Sequence, residues 1–383
     1  MDGTQRKNLL MTLFKTGIIG TSLKENEKRV PIHPDHFQEI HPDIRAKLLF
    51  EKGYGEPFGI KDAEIAGLMG GVVERDEILA SCDIAVLCKP LVADLRQMKT
   101  GGIIWGWAHC VQQADITQAA IDRRLTLIAW EGMNSWGADG EWASHLFFRN
   151  NEIAGYAGVL HALGLQGIDG EYGPAKKATV INFGSAGQGA VRALQALGFK
   201  DITLYVLKDP ASLRNVPAGV KVTRMVKRNN GTVVIGDAPF VTELAEMDVI
   251  VNCSLQDPMN PLTFLTEHET SRLKRGTLII DVSCDEGMGF PFARPTSFEN
   301  PMISVGKINY YAVDHTPAYL WNSASWEISK ALLPYLRTLM SGPSAWNEHE
   351  TVRRAIEIRE GVALNPQILA FQKRNVDYPH KLL

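Results

Sequence analysis

The chain has 383 residues, of which 45% are hydrophobic and 22% charged, with a formal net charge of -3. That length predicts two domains, and the composition excludes a disordered or fibrous chain. The slight negative charge argues against a nucleic-acid surface, which needs clustered Lys and Arg, and no apolar stretch is long enough to span a bilayer.

Residues 1–14 lack the apolar core and small-residue cleavage site of a secretory signal, and read as an extension leading into the first strand. Short apolar runs at 16–20, 47–51, 84–88, 102–107 and 125–130 predict strands. Helical patterns at 35–40, 62–69, 75–80 and 116–123 alternate with them. That alternation predicts a parallel, doubly wound α/β sheet. Ligands of such sheets bind outside the carboxyl ends of the strands, so the residues that follow each run are the candidates. They are Arg29 in the turn after the first strand, then Lys89, His109 and Glu131. A guanidinium suits bidentate capture of a carboxylate, an ammonium can hold or polarise a carbonyl oxygen, and an imidazole carries protons near neutral pH. Taken singly, a Lys before Pro is more often solvated and a lone His structural. Glu131 has a further alternative role, orienting a neighbour. Four such residues at successive strand ends favour a site for an anionic carbonyl compound.

Residues 151–167 read as a helix rich in small residues and packed closely on a neighbour. A second α/β unit follows, with strands predicted near 179–183, 202–206, 249–252 and 277–281. Its first strand runs into Gly184-Ser185-Ala186-Gly187-Gln188-Gly189 and then an apolar-periodic helix. This is the layout of a dinucleotide-binding βα unit, in which glycines admit a pyrophosphate to a helix N-terminus. The spacing is G-x-x-G-x-G rather than G-x-G-x-x-G, and the alternative is a tight turn with no ligand. An NAD enzyme normally places an acid at the end of the next strand for the ribose 2′-OH. Here that place is Val206-Leu207-Lys208, and Lys208 would attract a 2′-phosphate. NADP(H) is therefore favoured and NAD(H) is the alternative, with Asp209 the counter-candidate one register on. Ser254 and Leu255 border the same cofactor, and Asp285 faces its nicotinamide end, whereas Asp281 is expected to be held by local backbone contacts. His315 falls at the passage back to the first domain, as a substrate-binding residue or a buried turn histidine.

Residues 322–340 predict a long helix with Trp326, Leu332, Leu333 and Leu336 on its apolar face, returning to the first domain. The tail from Pro343 reads as helical and then as a Pro-containing loop. Five cysteines (Cys82, Cys88, Cys110, Cys253, Cys284) are scattered without C-x-x-C spacing. Neither a disulfide framework nor a metal site is expected, which fits a reducing cytoplasm.

Several segments occur in the order of a known group: Glu27-Lys-Arg-Val-Pro31, Lys89-Pro90, Gly106-Trp-Ala-His109, Ala154-Gly-Tyr-Ala-Gly-Val-Leu160, Leu278-Ile-Ile-Asp-Val282 and Asp314-His-Thr-Pro317. They resemble the alanine dehydrogenase, saccharopine dehydrogenase and N5-(carboxyethyl)ornithine synthase family from about residue 16 to about 339. The carboxyethylornithine synthase and saccharopine dehydrogenase branches are the most similar. The resemblance implies that Arg29 binds an oxo-acid carboxylate, that Lys89 and His109 are the catalytic pair, and that Asp285 lies beside the nicotinamide. It also implies a homo-oligomer. The chain departs from alanine dehydrogenases at Ala186, where they have the second glycine, at His315, near which they have Asn, and in lacking the acid after the second strand.

The expected architecture is two Rossmann-like domains joined by long helices. Residues 1–152 with 318–383 form the substrate domain, and 153–317 the dinucleotide domain, with the active site in the cleft between them. The expected activity is NAD(P)H-dependent reductive condensation of a pyruvate-like 2-oxo acid with the amine of an amino acid, through an imine, or the reverse. Alanine or saccharopine dehydrogenase activity is one alternative. A non-catalytic, transhydrogenase-like nucleotide-binding protein is another.

Overall fold

A computed structural model describes residues 13–257 and 260–383, so most of the expected N-terminal extension lies outside the described residues. The chain divides into two compact units, residues 1–147 with 321–383, and residues 148–320.

The first unit opens with strands β1 (Thr16–Ile18), β2 (Leu48–Glu51), β3 (Gly71–Val73), β4 (Ile84–Val86), β5 (Ile103–Gly106) and β6 (Thr126–Ala129). All of these pair in parallel. Their sequences are continuous apolar runs because both faces of the sheet are covered. Successive side chains alternate in direction: Phe50, Val86, Trp105 and Ile128 enter one core, while Leu49, Ala85, Ile104 and Leu127 enter the other. Residues 35–40, expected as a helix, form a 3-10 turn (Pro34–Glu39) opened by Pro34.

The second unit begins with helix α1 (Phe148–Gln166). Strands β7 (Lys177–Ile181), β8 (Asp201–Val206), β9 (Val220–Arg224), β10 (Val249–Asn252), β11 (Leu278–Asp281), β12 (Met302–Val305) and β13 (Ile308–Tyr311) form a sheet in the order β9-β8-β7-β10-β11-β13-β12. Only β12 runs antiparallel to its neighbour. The order reverses between β7 and β10, the place where such sheets bind ligands. Helix α2 (Ser185–Ala196) leaves β7 and crosses α1 at two glycines. A Cβ on Gly155 would meet the Ala186 carbonyl oxygen at 1.8 Å, and one on Gly189 the Glu152 carbonyl oxygen at 1.8 Å. The small residues of α1 are therefore there to let two backbones touch.

The chain then returns to the first unit through helix α3 (Trp321–Met340), which buries Ile328, Leu332, Leu336, Leu339 and Met340 in that core. Leu333 is only partly buried, and Trp326 is 39% exposed, lying against the rings of His33 and His36. The tail corrects the sequence expectation most. After two short helices it forms strands β14 (Ile356–Arg359) and β15 (Val362–Ala363) before a last helix, Pro366–Gln372. Strand β14 pairs antiparallel with β6, so the first sheet reads β15-β14-β6-β5-β4-β1-β2-β3. The alternation Ile356-Glu-Ile-Arg359 is a half-buried strand pattern, too short to stand out against the helical flanks.

Candidate active site and nucleotide site

In the first unit the order reverses between β1 and β4, and the chemistry-bearing residues follow the carboxyl ends of β1, β4, β5 and β6. Lys89 follows β4 and His109 follows β5. Lys89 Nζ lies 2.6 Å from His109 Nε2. His109 has a left-handed backbone, φ 49°, an uncommon conformation for a residue with a side chain. Glu131, just beyond β6, holds it there: its Oε1 accepts the His109 backbone N–H at 2.8 Å and lies 3.0 Å from ring Nδ1. With Nδ1–H donating to the carboxylate, Nε2 presents a lone pair to the Lys89 ammonium. Burial pushes the Glu131 carboxyl up to about 7, helped by the charge of Glu357 and opposed by Lys89 and backbone hydrogen bonds.

Arg29 is buried, and Glu27 grips it through both Nε (2.8 Å) and Nη2 (2.5 Å) while its guanidinium lies 4.9 Å from the Trp107 ring centre. Burial works to raise Glu27, but the Arg29 charge and hydrogen bonds prevail and hold its carboxyl below the usual range. The segment after Arg29 is pinned by Ser325 of α3, whose Oγ accepts from Val30 N, and by Tyr54, whose hydroxyl bridges Ile32 N and Ile32 O.

In the second unit, an open cavity of about 420 Å³ is lined by Gly184, Ser185 and Ala186 of the turn, Ser254 and Leu255 after β10, and Asp285 after β11, together with Asn151 and Ala154 of α1. Nothing lies within 4 Å of where a Gly184 Cβ would sit, so this turn leaves room for a ligand beside the first N–H groups of α2. Gly187 and Gly189 serve packing instead. A Cβ on Gly187 would meet the Asn182 carbonyl oxygen at 2.2 Å, and Gly189 faces α1. Gln188 closes the first turn of α2, its N–H donating to the Gly184 carbonyl. A polar chain missed in the sequence secures the floor. Asn182 donates to Ser254 Oγ (2.8 Å), Asn252 to Asp281 (2.9 Å), and Tyr310 to the other oxygen of Asp281 (2.9 Å). Burial pushes Asp281 up to about 6, and Asp285 also to about 6.

Strand β8 ends at Val206, and exposed Lys208 follows. Asp209 caps the turn Pro210–Ser212, its carboxylate accepting from Ala211 N at 3.0 Å. The β8–β9 register puts Arg224 level with Val206. Single-strand reasoning could not find Arg224, because strand pairing brings it there. His315 is 2% exposed, bonded to Asp314 and edge-on to Phe298, and is not among the residues that line the cavity. All five cysteines are free. Among the described residues there is no metal-holding group of three or more His, Cys, Asp or Glu, and no helix long and apolar enough to cross a membrane.

Comparison with known proteins finds relatives over most of the chain. Residues 19–140 match the family model "Alanine dehydrogenase/PNT, N-terminal domain", and residues 159–366 the corresponding C-terminal domain. The chain is 28% identical over 320 residues to an N(5)-(carboxyethyl)ornithine synthase of Clostridium botulinum, covering 80% of this chain and 89% of the relative. It is 25% identical over 365 residues to an alanine dehydrogenase of Mycobacterium tuberculosis, covering 91% and 95%. A solved L-alanine dehydrogenase shares the fold with a TM-score of 0.74 at 18% identity, over 93% of this chain and 98% of that one.

Proposed function

The chain belongs to the alanine dehydrogenase/PNT family, and from that premise we propose that it is an NAD(P)H-dependent oxidoreductase acting on a C–N bond. In the reductive direction it joins a pyruvate-like 2-oxo acid to the amine of an amino acid and reduces the imine to a secondary amine. The observation that carries this reading is the relay Glu131–His109–Lys89, with contacts of 3.0 and 2.6 Å. A protein that only binds nucleotide has no use for it. The carboxyethylornithine synthase relative supports a secondary-amine product. The alanine dehydrogenase relative supports a second reading, deamination of a simple amino acid.

Arg29, kept in one orientation by Glu27, takes the carboxylate of the oxo acid, and Lys89 hydrogen-bonds its carbonyl oxygen. As the amine nitrogen attacks the carbonyl carbon, that oxygen accepts a proton passed from His109 through Lys89. The nitrogen returns one proton to the same relay and keeps the other, and the oxygen takes a second proton and leaves as water. This shuttling needs groups that gain and lose protons near the working pH, and the Glu131 carboxylate supports the imidazolium when it forms. A bound nicotinamide supplies the hydride that the imine carbon receives.

The open Gly184 turn and the free N–H groups of α2 fit a pyrophosphate, with Ser254 and Leu255 bordering the nucleotide and Asp285 near its nicotinamide. Asp209 is engaged in its own turn, while Lys208 and Arg224 offer positive charge to a 2′-phosphate. This supports NADP(H) over NAD(H). The test is to incubate the protein with NADPH or NADH, pyruvate or 2-oxoglutarate, and a panel of amino acids, following nicotinamide absorbance. Oxidation should require both oxo acid and amine. Lys89→Ala and His109→Ala should each lose roughly 100-fold or more in kcat while still binding nucleotide. Full turnover in either variant overturns the relay.

A further inference from the structure

Glu131 gives one carboxyl oxygen to His109, and its other, Oε2, is buried with no hydrogen-bond partner among the described residues. Glu357 has the same defect: its Oε2 is also buried and unpartnered. The tail brings the two residues together. Strand β14 pairs Ile356 with Ile128 of β6, Ala129 N–H donates to the Ala355 carbonyl at 2.8 Å, and a Cβ on Gly132 would lie 3.0 Å from Ala355 Cα. Cys110, next in the chain to His109, hydrogen-bonds Glu357 through its thiol and lies within the field of both carboxyls. Buried oxygens without a donor are rare and need a cause, and two neighbouring, partly buried carboxyls resist ionising together. A proton kept by either carboxyl leaves the pair with a single negative charge.

We infer that Glu357 is a positioning residue of the site, forming with Glu131 a carboxyl pair that keeps one proton, so that the tail strand sets the charge behind His109. The groups facing the pair are the His109 ring and Lys89 on the substrate side, the Cys110 thiol beside Glu357, and the His145 ring, which hydrogen-bonds the Glu131 backbone. Asn365 hydrogen-bonds Glu357, and Arg353 and Arg354 line the cavity beside it. Burial holds both carboxyls above the usual range, and they are the two glutamates raised in this way among the described residues. A fully ionised Glu131 would bind the imidazolium more strongly, and a neutral one more weakly, so the shared proton tunes how readily His109 exchanges its own.

The role in catalysis rests on the proposed imine reduction, whereas the shared proton does not, and the experiment separates them. Protein labelled with 13C at its glutamate side-chain carboxyls is titrated without substrate. The wild type should show two coupled steps, one displaced toward neutral pH. Glu357→Gln should merge them into a single step for Glu131 and shift the acid limb of kcat/KM to lower pH by about one unit. A merely structural Glu357 would change thermal stability and leave that limb in place. Glutamates that all titrate in the ordinary acidic range, or a Glu131 step unmoved in Glu357→Gln, overturn the pair. The wild-type titration decides the matter even where that variant does not fold. If the pair titrates as described but no oxo acid and amine are turned over, the substrate reading fails and the pair stands.

Discussion

Replacing Gly189 with Ala tests whether the crossing of α1 and α2 holds the nucleotide site in place. Alanine is the better helix former by about 1 kcal/mol, so propensity alone predicts stabilisation. The structure predicts the reverse. The added Cβ would lie 1.8 Å from the Glu152 carbonyl oxygen and 2.7 Å from its carbon, where 3.0 Å is the closest real approach. The helices must separate by the difference, 3.0 minus 1.8, or 1.2 Å at that point. A clash with backbone cannot be relieved by a rotamer change, so the upper part of the usual 1–3 kcal/mol overpacking cost applies. After the propensity gain, about 2 kcal/mol of destabilisation remains. In a unit of this size that is a fall in melting temperature of roughly 4–8 °C. Ser185 and Ala186, which line the cavity, move with α2, so affinity for NADPH should fall as well. Thermal unfolding and fluorescence titration with NADPH measure the two effects. Gly164→Ala in α1 is the control, since its Cβ would meet nothing within 4 Å and it does not line the cavity. A Gly189→Ala protein that melts at or above the wild-type temperature and binds NADPH normally refutes the reasoning.

Arg29→Lys keeps the charge but gives up the fork that holds both oxygens of Glu27; with that pair almost wholly buried, it should cost about 2 kcal/mol and raise KM for the oxo acid more than it lowers kcat. Denaturation of wild type and Glu131→Gln from pH 4.5 to 8 should show a pH-dependent difference. The native Glu131 carboxyl, pushed up to about 7 by burial, keeps a proton that the unfolded chain loses near 4.5, so its contribution is full below that pH and disappears as pH rises through 7. His36, His145 and His161, whose pKa values partial or full burial lowers, act in the opposite sense, which is why the variant comparison is needed; a constant difference across the range contradicts the assignment. Arg224→Ala should weaken NADPH binding roughly tenfold and leave NADH binding unchanged, and equal effects on both would remove the 2′-phosphate site from that strand end.

The parallel strands were legible because burial on both faces makes them unbroken apolar runs, and the polar residue ending each run marks the ligand edge. That is how Lys89 and His109, 20 residues apart, could be expected at one edge before their 2.6 Å contact was known. The glycine turn was legible as a motif, but the reason for each glycine was not. Gly187 and Gly189 answer to carbonyls of Asn182 and Glu152, which no local pattern announces. Glu27, Arg224 and Glu357 were illegible for a shared reason, since each acquires its role from a partner fixed by pairing or burial. The tail was misread because Ile356-Glu-Ile-Arg359 is too brief for its period to compete with neighbouring helical segments.

Strand β14 also dictates an order of events during synthesis. Its partner β6 ends at Ala129, and 227 positions separate that residue from Ile356. At about 5–20 residues per second, β6 emerges from the ribosome roughly 10–45 seconds before its neighbour exists. The whole second unit, Phe148–Leu320, is made within that interval and is free to fold first. Meanwhile the nascent first sheet presents the bare hydrogen-bonding edge of β6, the kind of surface on which chains misassociate. Chaperone demand should therefore peak late in translation and end when the tail docks.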